Sequence, residues 1–247
     1  MEPPHEPLRR RPLSDRPVDP LPPALWPART VHGGCYCRLE PLDVRVHADA
    51  LFAASHGSAE AERIWDYLAY GPFTDEAAFA AWVRGCTATA DPLFFAIVDQ
   101  ARGSAAGVAS FLNIHPPVGS IEIGHIWFGP VLQNTAAATE ALYLMMGHAL
   151  DELGYRRLEW KCNALNAASR SAARRLGFAF EGIFYNHTIA KDRNRDTAWY
   201  SILDDEWPAI RANFDAWLAP DNFDADGRQR ASLGELNGRL RAEQEWT

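Results

Sequence analysis

The stretch of sequence that decides the fold is Ile123-Gly-His-Ile-Trp-Phe-Gly-Pro-Val-Leu-Gln-Asn-Thr-Ala-Ala-Ala-Thr-Glu-Ala-Leu142. It begins as an apolar strand, is interrupted by Gly129-Pro130 and a short polar turn, and continues as a helix whose apolar stripe extends to Leu153. The first amides of such a helix have no acceptor within it, and the small side chains of Ala136–Ala138 leave them accessible. Because the helix dipole favours negative charge there, the stretch predicts either a site for an anion such as pyrophosphate or simply a capped turn.

Strand and helix patterns continue on both sides of this stretch. Apolar or alternating runs predict strands over Cys35–Pro41, Leu93–Val98, Gly107–Ile114, Ser120–Phe128, Arg157–Cys162, Phe178–Ala190 and Thr197–Leu203. The last two strands are joined by the polar turn Lys191–Asp196. We therefore predict an α+β fold with a mostly antiparallel, mixed sheet, flanking helices and one central β-α-β crossover.

The distribution of proline divides the chain. Residues 1–30 hold 9 of the 17 prolines, and such a segment lacks backbone donors and buries little apolar surface. We predict that 1–30 is an extended arm, laid on the domain through Leu25 and Trp26. Residues 31–220 then form a single domain, and 221–247 form a polar C-terminal tail in which Leu233–Glu245 can be helical.

Composition and charge exclude several classes of protein. The 247 residues include 24 Lys and Arg against 32 Asp and Glu, a formal charge of −8, so sequence-independent nucleic-acid binding is not expected. No apolar run reaches the roughly 18 residues of a membrane span. Four cysteines do not make a disulfide framework in a chain of this length. We expect a reduced, cytoplasmic protein that binds neither nucleic acid nor a membrane.

Several chemical motifs are absent from the sequence. His32, Cys35 and Cys37 are close together but lack a fourth ligand, so no metal site is expected. The chain has no glycine-rich nucleotide loop, no zinc-protease motif and no nucleophile elbow. These absences argue against kinases, dehydrogenases, zinc proteases and α/β-hydrolases.

The segments after the crossover helix carry a family resemblance. They read Leu153-Gly-Tyr-Arg-Arg-Leu-Glu-Trp-Lys-Cys-Asn-Ala-Leu-Asn166, then Ser169-Arg-Ser-Ala-Ala-Arg-Arg-Leu-Gly-Phe178 and Glu181-Gly182. Together with the crossover they resemble the GNAT acetyltransferase superfamily, in particular its RimJ/RimL-like branch, over about Arg38–Leu203. The resemblance implies a splayed GNAT-like sheet, acetyl-CoA as co-substrate without a metal, and an N-acetyltransferase acting on a primary amine.

The same resemblance assigns residues to the acetyl-CoA site. Ala136 stands where the family's pyrophosphate-binding turn usually has glycine, and an alanine would clash if that position required a positive φ. Asn166 matches an asparagine that binds pantetheine, although a helix cap also explains it. Arg174 and Arg175 could meet the 3′-phosphate, although cations are favoured in the last turn of a helix in any case. The cofactor-binding residues are Trp127, Phe128, Gln133, Asn134, Thr135, Ala136, Ala137, Ala138, Thr139, Asn166 and Arg174.

The catalytic candidates follow from the chemistry of acetyl transfer, which needs a proton acceptor for the amine and a proton donor for the leaving thiolate. By resemblance, Glu122 on the crossover strand is the base, and His125 is its rival. Alternation along the strand predicts that these two side chains lie on opposite faces of the sheet. Ser169 matches the proposed acid of the RimJ/RimL-like branch, and Tyr185 is the substitute acid if Ser169 is misplaced.

An aromatic segment supplies the candidates for acceptor binding, namely Trp65, Tyr67, Tyr70 and Phe73, and His125 joins them from the strand. These rings either cover an acceptor pocket and face a cationic amine, or anchor a long connection to the core. We favour a small-molecule amine as acceptor. The alternatives are a protein N-terminus, as for ribosomal-protein acetyltransferases, and a catalytically silent acyl-CoA-binding protein. The chain is expected to be a monomer or a homodimer.

Overall fold

A central sheet organises the chain in the computed structural model, which describes residues 6, 8, 11–22, 24–225 and 228–244. Its strands are β1 (His32–Gly33), β2 (Cys37–Pro41), β3 (Leu93–Asp99), β4 (Ser104–His115), β5 (Ser120–Phe128), β6 (Arg157–Asn163), β7 (Ala179–Ala190) and β8 (Arg193–Leu203). They lie in the spatial order β1-β2-β3-β4-β5-β6-β8-β7. Only β5 and β6, among the described strands, pair in parallel, and all other neighbours are antiparallel. The α+β fold with one crossover is therefore confirmed.

The helices begin at side chains that cap them. In the described residues they are α1 (Val44–Ser55), α2 (Ala59–Glu62), α3 (Glu76–Thr87), α4 (Ala136–Gly147), α5 (Ala167–Arg175), α6 (Trp207–Leu218) and α7 (Leu233–Gln244). Asp43, Asp75, Thr135 and Asn166 each accept a hydrogen bond from an amide in the first turn of the helix that follows. None of the helices in the described part of the chain is both long and apolar enough to cross a membrane.

The two faces of the sheet carry separate apolar cores. The front face, on which α1 and α3 pack, contributes Phe94, Val108 and Trp127 to one cluster. The back face, covered by α4, α5 and α6, contributes Phe95 and Phe111 to the other. Each cluster removes a continuous apolar surface from water and so holds the helices on the sheet. The crossover passes over the back face, since α4 joins β5 to β6.

The N-terminal arm is attached by polar contacts rather than by Leu25 and Trp26. Leu25 is 65% exposed and Trp26 50% exposed, so this part of the prediction is wrong. Arg11 instead binds both Glu181 and Glu206, with the nearest atoms 2.6 and 2.7 Å apart. Charged hydrogen bonds suit a segment rich in proline, because they need side chains rather than a regular backbone. Residues 1–5, 7, 9, 10 and 23 of the predicted arm lie outside the described residues.

The hairpin between β7 and β8 is tighter than predicted. Only Lys191 and Asp192 form the turn, with φ values of 50° and 60°, and two successive left-handed residues make the two-residue turn that matches strand twist. The predicted turn Lys191–Asp196 is therefore too long, because Arg193–Asp196 already belongs to β8. In the C-terminal tail, Leu233 at the start of α7 is fully buried, whereas Glu245 at the end of the predicted helix lies outside the described residues.

Candidate active site

A wedge-shaped gap opens between β5 and β6. Their pairing is limited to Ser120–Glu122 against Arg157–Glu159, and beyond Glu122 each strand is paired on its other side only. The backbone groups that face the gap are therefore open to a ligand. The start of α4 follows directly from the end of β5, so an extended molecule can bind to the helix start and to the strand edges together.

The start of α4 has the geometry of an anion site. Thr135 caps the helix, since its Oγ1 accepts from the Ala138 amide at 3.2 Å. No described residue supplies an acceptor for the amides of Asn134–Ala137. Asn134 has the positive φ of this turn, 60°, whereas Ala136 is the first residue of the helix. The alanine that replaces the usual glycine is therefore free of the clash considered from the sequence.

Side chains on the β5–α4 turn meet the strand end. Gln133 Nε2 donates to the Phe128 carbonyl at 2.9 Å, which fixes the turn against β5. Trp127 is 3% exposed and packs against Trp65 on the front face. Its Nε1 is enclosed and has no hydrogen-bond partner among the described residues. A buried indole donor without an acceptor is uncommon, and it lies on the strand that borders the gap.

Asn166 and Ser169 lie beside β6 on the back face. Asn166 caps α5, because its Oδ1 accepts from the Ser169 amide at 3.0 Å. Ser169 Oγ accepts from Trp160 Nε1 at 3.1 Å, and its own hydroxyl hydrogen faces the Cys162 thiol. The nearby Cys162 thiol is buried, and burial raises its pKa to about 11. The serine predicted to be the acid is therefore a half-buried hydroxyl beside the strand that borders the gap.

The two arginines at the end of α5 point in different directions. Arg174 lies 3.4 Å from Glu6 of the N-terminal arm. Arg175 donates to Thr139 Oγ1 at 3.1 Å and therefore reaches α4. Of the two arginines considered, Arg175 thus lies next to the helix that begins at the candidate anion site.

Glu122 is held with one carboxylate oxygen occupied and the other free. Oε2 accepts from Asn113 Nδ2 at 2.6 Å and from Lys161 Nζ at 2.7 Å. Oε1 has no partner among the described residues and faces Gly124, where an added Cβ would stand 3.5 Å away. Burial raises the pKa of Glu122, and Lys161 and Asn113 oppose that rise by stabilising the ionised form. The free oxygen can therefore act as a proton acceptor.

His125 lies on the same face as Glu122, and the predicted opposite placement is wrong. Ser110 pairs with Gly124 and Val108 with Trp127, so β5 has one residue more than β4 between these pairs. The resulting bulge, in which His125 has a φ of 50°, breaks the alternation. The His125 ring packs against Tyr70 and Phe94 on the front face. Burial, and then the Arg195 charge, lower the pKa of His125, which keeps the imidazole neutral.

The aromatic segment anchors a long connection to the core, and part of it also reaches the gap. Trp65 is fully buried and its Nε1 donates to the Ser55 carbonyl, so it anchors the segment and cannot touch a ligand in this conformation. Phe73 packs edge-on against Trp65 and is half-buried. Tyr70 Oη lies 3.2 Å from His125 Nδ1, and Tyr67 is 41% exposed. Only the two tyrosines are thus placed next to the gap.

Two hydrogen bonds cross the front of the gap from this segment. Tyr67 Oη donates to the Leu165 carbonyl, after β6, at 3.2 Å. Lys191 Nζ, in the β7–β8 turn, donates to the Trp65 carbonyl at 2.7 Å. Because the aromatic segment packs on β5, both bonds link the two sides of the gap. The front of the candidate site is therefore partly closed.

Tyr185 is placed less favourably than Ser169 for a role as acid. It is 76% exposed and lies in the part of β7 where the pairing with β8 is interrupted, between Phe184 and Thr188. Tyr185 forms no hydrogen bond with a described residue, so no contact in that part of the chain holds its hydroxyl toward the gap.

Three residues of the site were not predicted from the sequence, namely Lys161, Arg195 and Trp199. Lys161 also binds Glu159, at 2.8 Å, and its Nζ lies 4.1 Å from the centre of the Trp199 ring. Alternation in Glu159-Trp-Lys161 does indicate one shared face for the two charged residues. Their contact with Glu122 depends on the parallel register, which the sequence does not disclose. Arg195 was assigned to a turn and so was overlooked.

Comparisons with known proteins agree with this geometry. Residues 37–179 match the model of the family described as acetyltransferase (GNAT) domain. A GCN5-related N-acetyltransferase from Brucella melitensis, with a solved structure, is 47% identical, with a TM-score of 0.85; the match covers 87% of this chain and 97% of that one. The uncharacterised N-acetyltransferase YnaD of Bacillus subtilis (strain 168) is 26% identical over 146 residues, which are 58% of this chain and 82% of YnaD.

A more distant solved structure bears on the alternative acceptor. RimL, a ribosomal L7/L12 alpha-N-protein acetyltransferase, is 23% identical to this chain, with a TM-score of 0.61; the match covers 70% of this chain and 94% of RimL. At that identity the likeness concerns the fold alone.

Proposed function

The chain belongs to the GNAT family of acetyltransferases, and we propose that it transfers the acetyl group of acetyl-CoA to the primary amine of a small molecule. The observation that carries the choice of acceptor is the pair of hydrogen bonds across the front of the gap, from Tyr67 and from Lys191. They favour a pocket that admits a compact amine. An extended protein N-terminus would need an open groove.

The residues present fit acetyl-CoA. The free amides of Asn134–Ala137, with the small side chains of the first helical turn, suit a pyrophosphate. The unpaired edges of β5 and β6 suit the amide groups of a pantetheine arm. The enclosed Nε1 of Trp127, which has no acceptor among the described residues, supports a polar ligand atom in the gap. When bound, acetyl-CoA supplies an acetyl group activated as a thioester.

We assign the base to Glu122. Its Oε1 is free, whereas Asn113 and Lys161 hold Oε2, so the carboxylate is oriented without losing its accepting oxygen. Oε1 takes a proton from the ammonium form of the acceptor, and the freed lone pair attacks the thioester carbonyl carbon to form the new carbon–nitrogen bond. The second nitrogen proton is lost to solvent as the carbon–sulfur bond breaks. His125 stays a secondary candidate, because its Nδ1 is already bonded to Tyr70.

We assign the acid to Ser169. Its Oγ accepts from Trp160 Nε1, which orients the hydroxyl and strengthens it as a donor. As the carbon–sulfur bond breaks, this hydroxyl supplies the proton that the leaving thiolate takes up, and solvent restores it. Glu122 and Ser169 lie on opposite faces of the sheet at the gap, which suits an amine entering from the front and a thiol leaving toward the back.

The test is an acceptor screen in which free thiol released from acetyl-CoA is measured. We expect turnover with small primary amines and none with peptides that carry ribosomal-protein N-termini. Ser169→Ala should lower kcat about 10²-fold or more with the KM for acetyl-CoA nearly unchanged. The exposed Ser171→Ala, two residues along α5, is the control and should keep full activity. Turnover of peptides alone would favour the protein N-terminus, and the absence of thiol release with acceptors of both classes would favour a silent acyl-CoA-binding protein.

A further inference from the structure

Arg195 is a half-buried cation without a counter-ion among the described residues. Its Nε–H is enclosed and donates to no acceptor in that part of the chain. Several other partly buried arginines are paired with carboxylates, namely Arg11 with Glu206, Arg157 with Glu181, and Arg170 with Glu6, whereas Arg175 binds the Thr139 hydroxyl. An enclosed N–H donor without an acceptor is unfavourable, so the Arg195 Nε calls for a partner that the described part of the chain does not provide.

Arg195 lies on the front face beside the proposed acceptor site. Lys161 pairs with Trp199 across β6 and β8, so the two share a face, and alternation along β8 places Thr197 and Arg195 on it as well. Lys161 in turn binds Glu122. The Arg195 charge also acts on His125, as the lowered pKa of that imidazole indicates. The guanidinium and the proposed base therefore belong to one site.

A second donor on the same face of β8 also lacks an acceptor. Trp199 Nε1 is enclosed and has no hydrogen-bond partner among the described residues. The carboxylates of the neighbourhood are engaged elsewhere: Glu122 and Glu159 bind Lys161, and Asp196 accepts from the Asn186 amide. The front of the site thus offers one free carboxylate oxygen and, from β8, two N–H donors without acceptors.

We infer that the acceptor is a primary amine that also carries an anionic group, with the amine at Glu122 and the anion at Arg195 and Trp199. The inference rests on the proposed function and narrows its substrate class. A planar guanidinium presents paired N–H groups that suit a carboxylate, and they suit a phosphonate or phosphate as well. A polyamine is disfavoured, because its second ammonium group would lie against Arg195 and Lys161.

The experiment compares matched acceptors that differ only in the anion. The first arm pairs alkylamines with ω-amino acids of equal length, namely glycine, β-alanine, γ-aminobutyrate and longer homologues. The second arm pairs phenethylamine with phenylalanine and tryptamine with tryptophan. Aminoalkylphosphonates form the third arm. At least one anionic acceptor should exceed its neutral partner by about tenfold or more in kcat/KM, the scale of one charged hydrogen bond. A phosphonate arm that exceeds the carboxylate arm identifies which anion is bound. If each neutral amine has the same kcat/KM as its anionic counterpart, the inference is overturned and the acetyltransferase proposal stays intact.

Variants of Arg195 test whether this residue causes the preference for an anionic acceptor. Arg195→Gln should abolish the advantage of the anionic acceptor over its neutral partner, and Arg195→Lys should restore part of it. The exposed Arg193→Gln, two residues away on the same strand, is the matched control. A rise in the KM for acetyl-CoA in Arg195→Gln, with the acceptor preference retained, would instead assign the arginine to the cofactor and overturn the inference.

Thermal unfolding gives a readout that does not depend on activity. Because Arg195 has no described partner, Arg195→Gln should leave the Tm of the free protein unchanged or raise it, as expected for removing an unpaired buried charge. A preferred anionic amine should raise the Tm of the wild type and not that of the variant. A large fall in the Tm of Arg195→Gln would show that the arginine has a structural partner, and would contradict the inference.

Discussion

The charge of Lys161 influences the ionisation of Glu122, the proposed base. Glu122 is buried enough to resist ionisation, yet Lys161 and Asn113 bind one of its oxygens and favour the carboxylate. Lys161 is itself held between Glu122 and Glu159 and lies over the Trp199 ring. The reactivity of the proposed base therefore depends on the neighbouring ammonium group of Lys161.

The first prediction concerns Lys161 as a positioning residue. Removing its charge in Lys161→Met leaves burial as the main influence on Glu122, so the pKa of that carboxyl rises further. The acid limb of the pH profile of kcat/KM should then move to higher pH, and Lys161→Arg should restore it in part. Arg156→Met, an exposed cation just before β6, should leave the profile unchanged.

The Lys161→Met variant should also lose stability, and this loss should grow as the pH rises. A carboxyl with a raised pKa destabilises the fold while it is ionised, and this loss disappears as the pH falls through its folded pKa. The fall in Tm relative to the wild type should therefore be larger at pH 8 than at pH 5. An acid limb of kcat/KM at the same pH as in the wild type, together with an equal fall in Tm at pH 5 and pH 8, would contradict the role of Lys161.

At the scale of the elements, α4 is tied to the sheet by a side chain that is not part of the acetyl-CoA site. Glu140 is 4% exposed and accepts three backbone amides, those of Cys35, Tyr36 and Cys37, at 2.6–2.8 Å. Gly34 makes this approach possible, since an added Cβ would lie 2.3 Å from the Glu140 carboxyl group. The link fixes the helix whose start is the proposed pyrophosphate site.

The second prediction follows from that link. Glu140→Gln should destabilise the protein by about 2–3 kcal/mol or more, because it replaces a charged acceptor and leaves at least one buried amide without a partner. Denaturant unfolding of the variant measures this loss. Asp49→Asn, an exposed change on α1, is the control and should stay within about 0.5 kcal/mol of the wild type. An equally small effect of Glu140→Gln would contradict the structural role.

Elements could be predicted from the sequence where local chemistry determines them. The crossover, the strands around it and the cap at Asn166 follow from apolar periodicity and from a side-chain acceptor. The bulge at His125 could not be predicted, because it arises from the pairing of β5 with β4. The site residues Lys161 and Arg195 depend in the same way on which strands are neighbours, and alternation within one strand carries no such information.

At the scale of the whole molecule, the N-terminal arm completes the back of the sheet. Glu6 is 6% exposed and binds Arg170 at 3.1 Å and the Tyr200 hydroxyl at 2.7 Å. Arg170 is 3% exposed and also donates to the Ala164 carbonyl, in the connection between β6 and α5. The arm thus neutralises a buried cation on the helix that carries Ser169.

The third prediction tests this contact. Glu6→Gln should destabilise the protein by about 3 kcal/mol, because it leaves the Arg170 guanidinium buried without its carboxylate. Arg16→Gln breaks an exposed pair with Asp204 and should have an effect of less than about 1 kcal/mol. A double-mutant cycle of Glu6→Gln with Arg170→Gln should show coupling between the two sites, and additive losses would contradict the contact.

The central claim, that the start of α4 and the gap beside it hold acetyl-CoA, is tested most directly by thermal unfolding with and without this ligand. At about 100 times its Kd, acetyl-CoA should add about 2.7 kcal/mol to the stability of the wild type. Ala136→Asp is the matched variant, because an acidic residue in the first turn suits the helix dipole but repels a pyrophosphate. We predict an unchanged Tm for the free variant and loss of its response to acetyl-CoA. A wild-type Tm that does not move at millimolar acetyl-CoA would contradict the account.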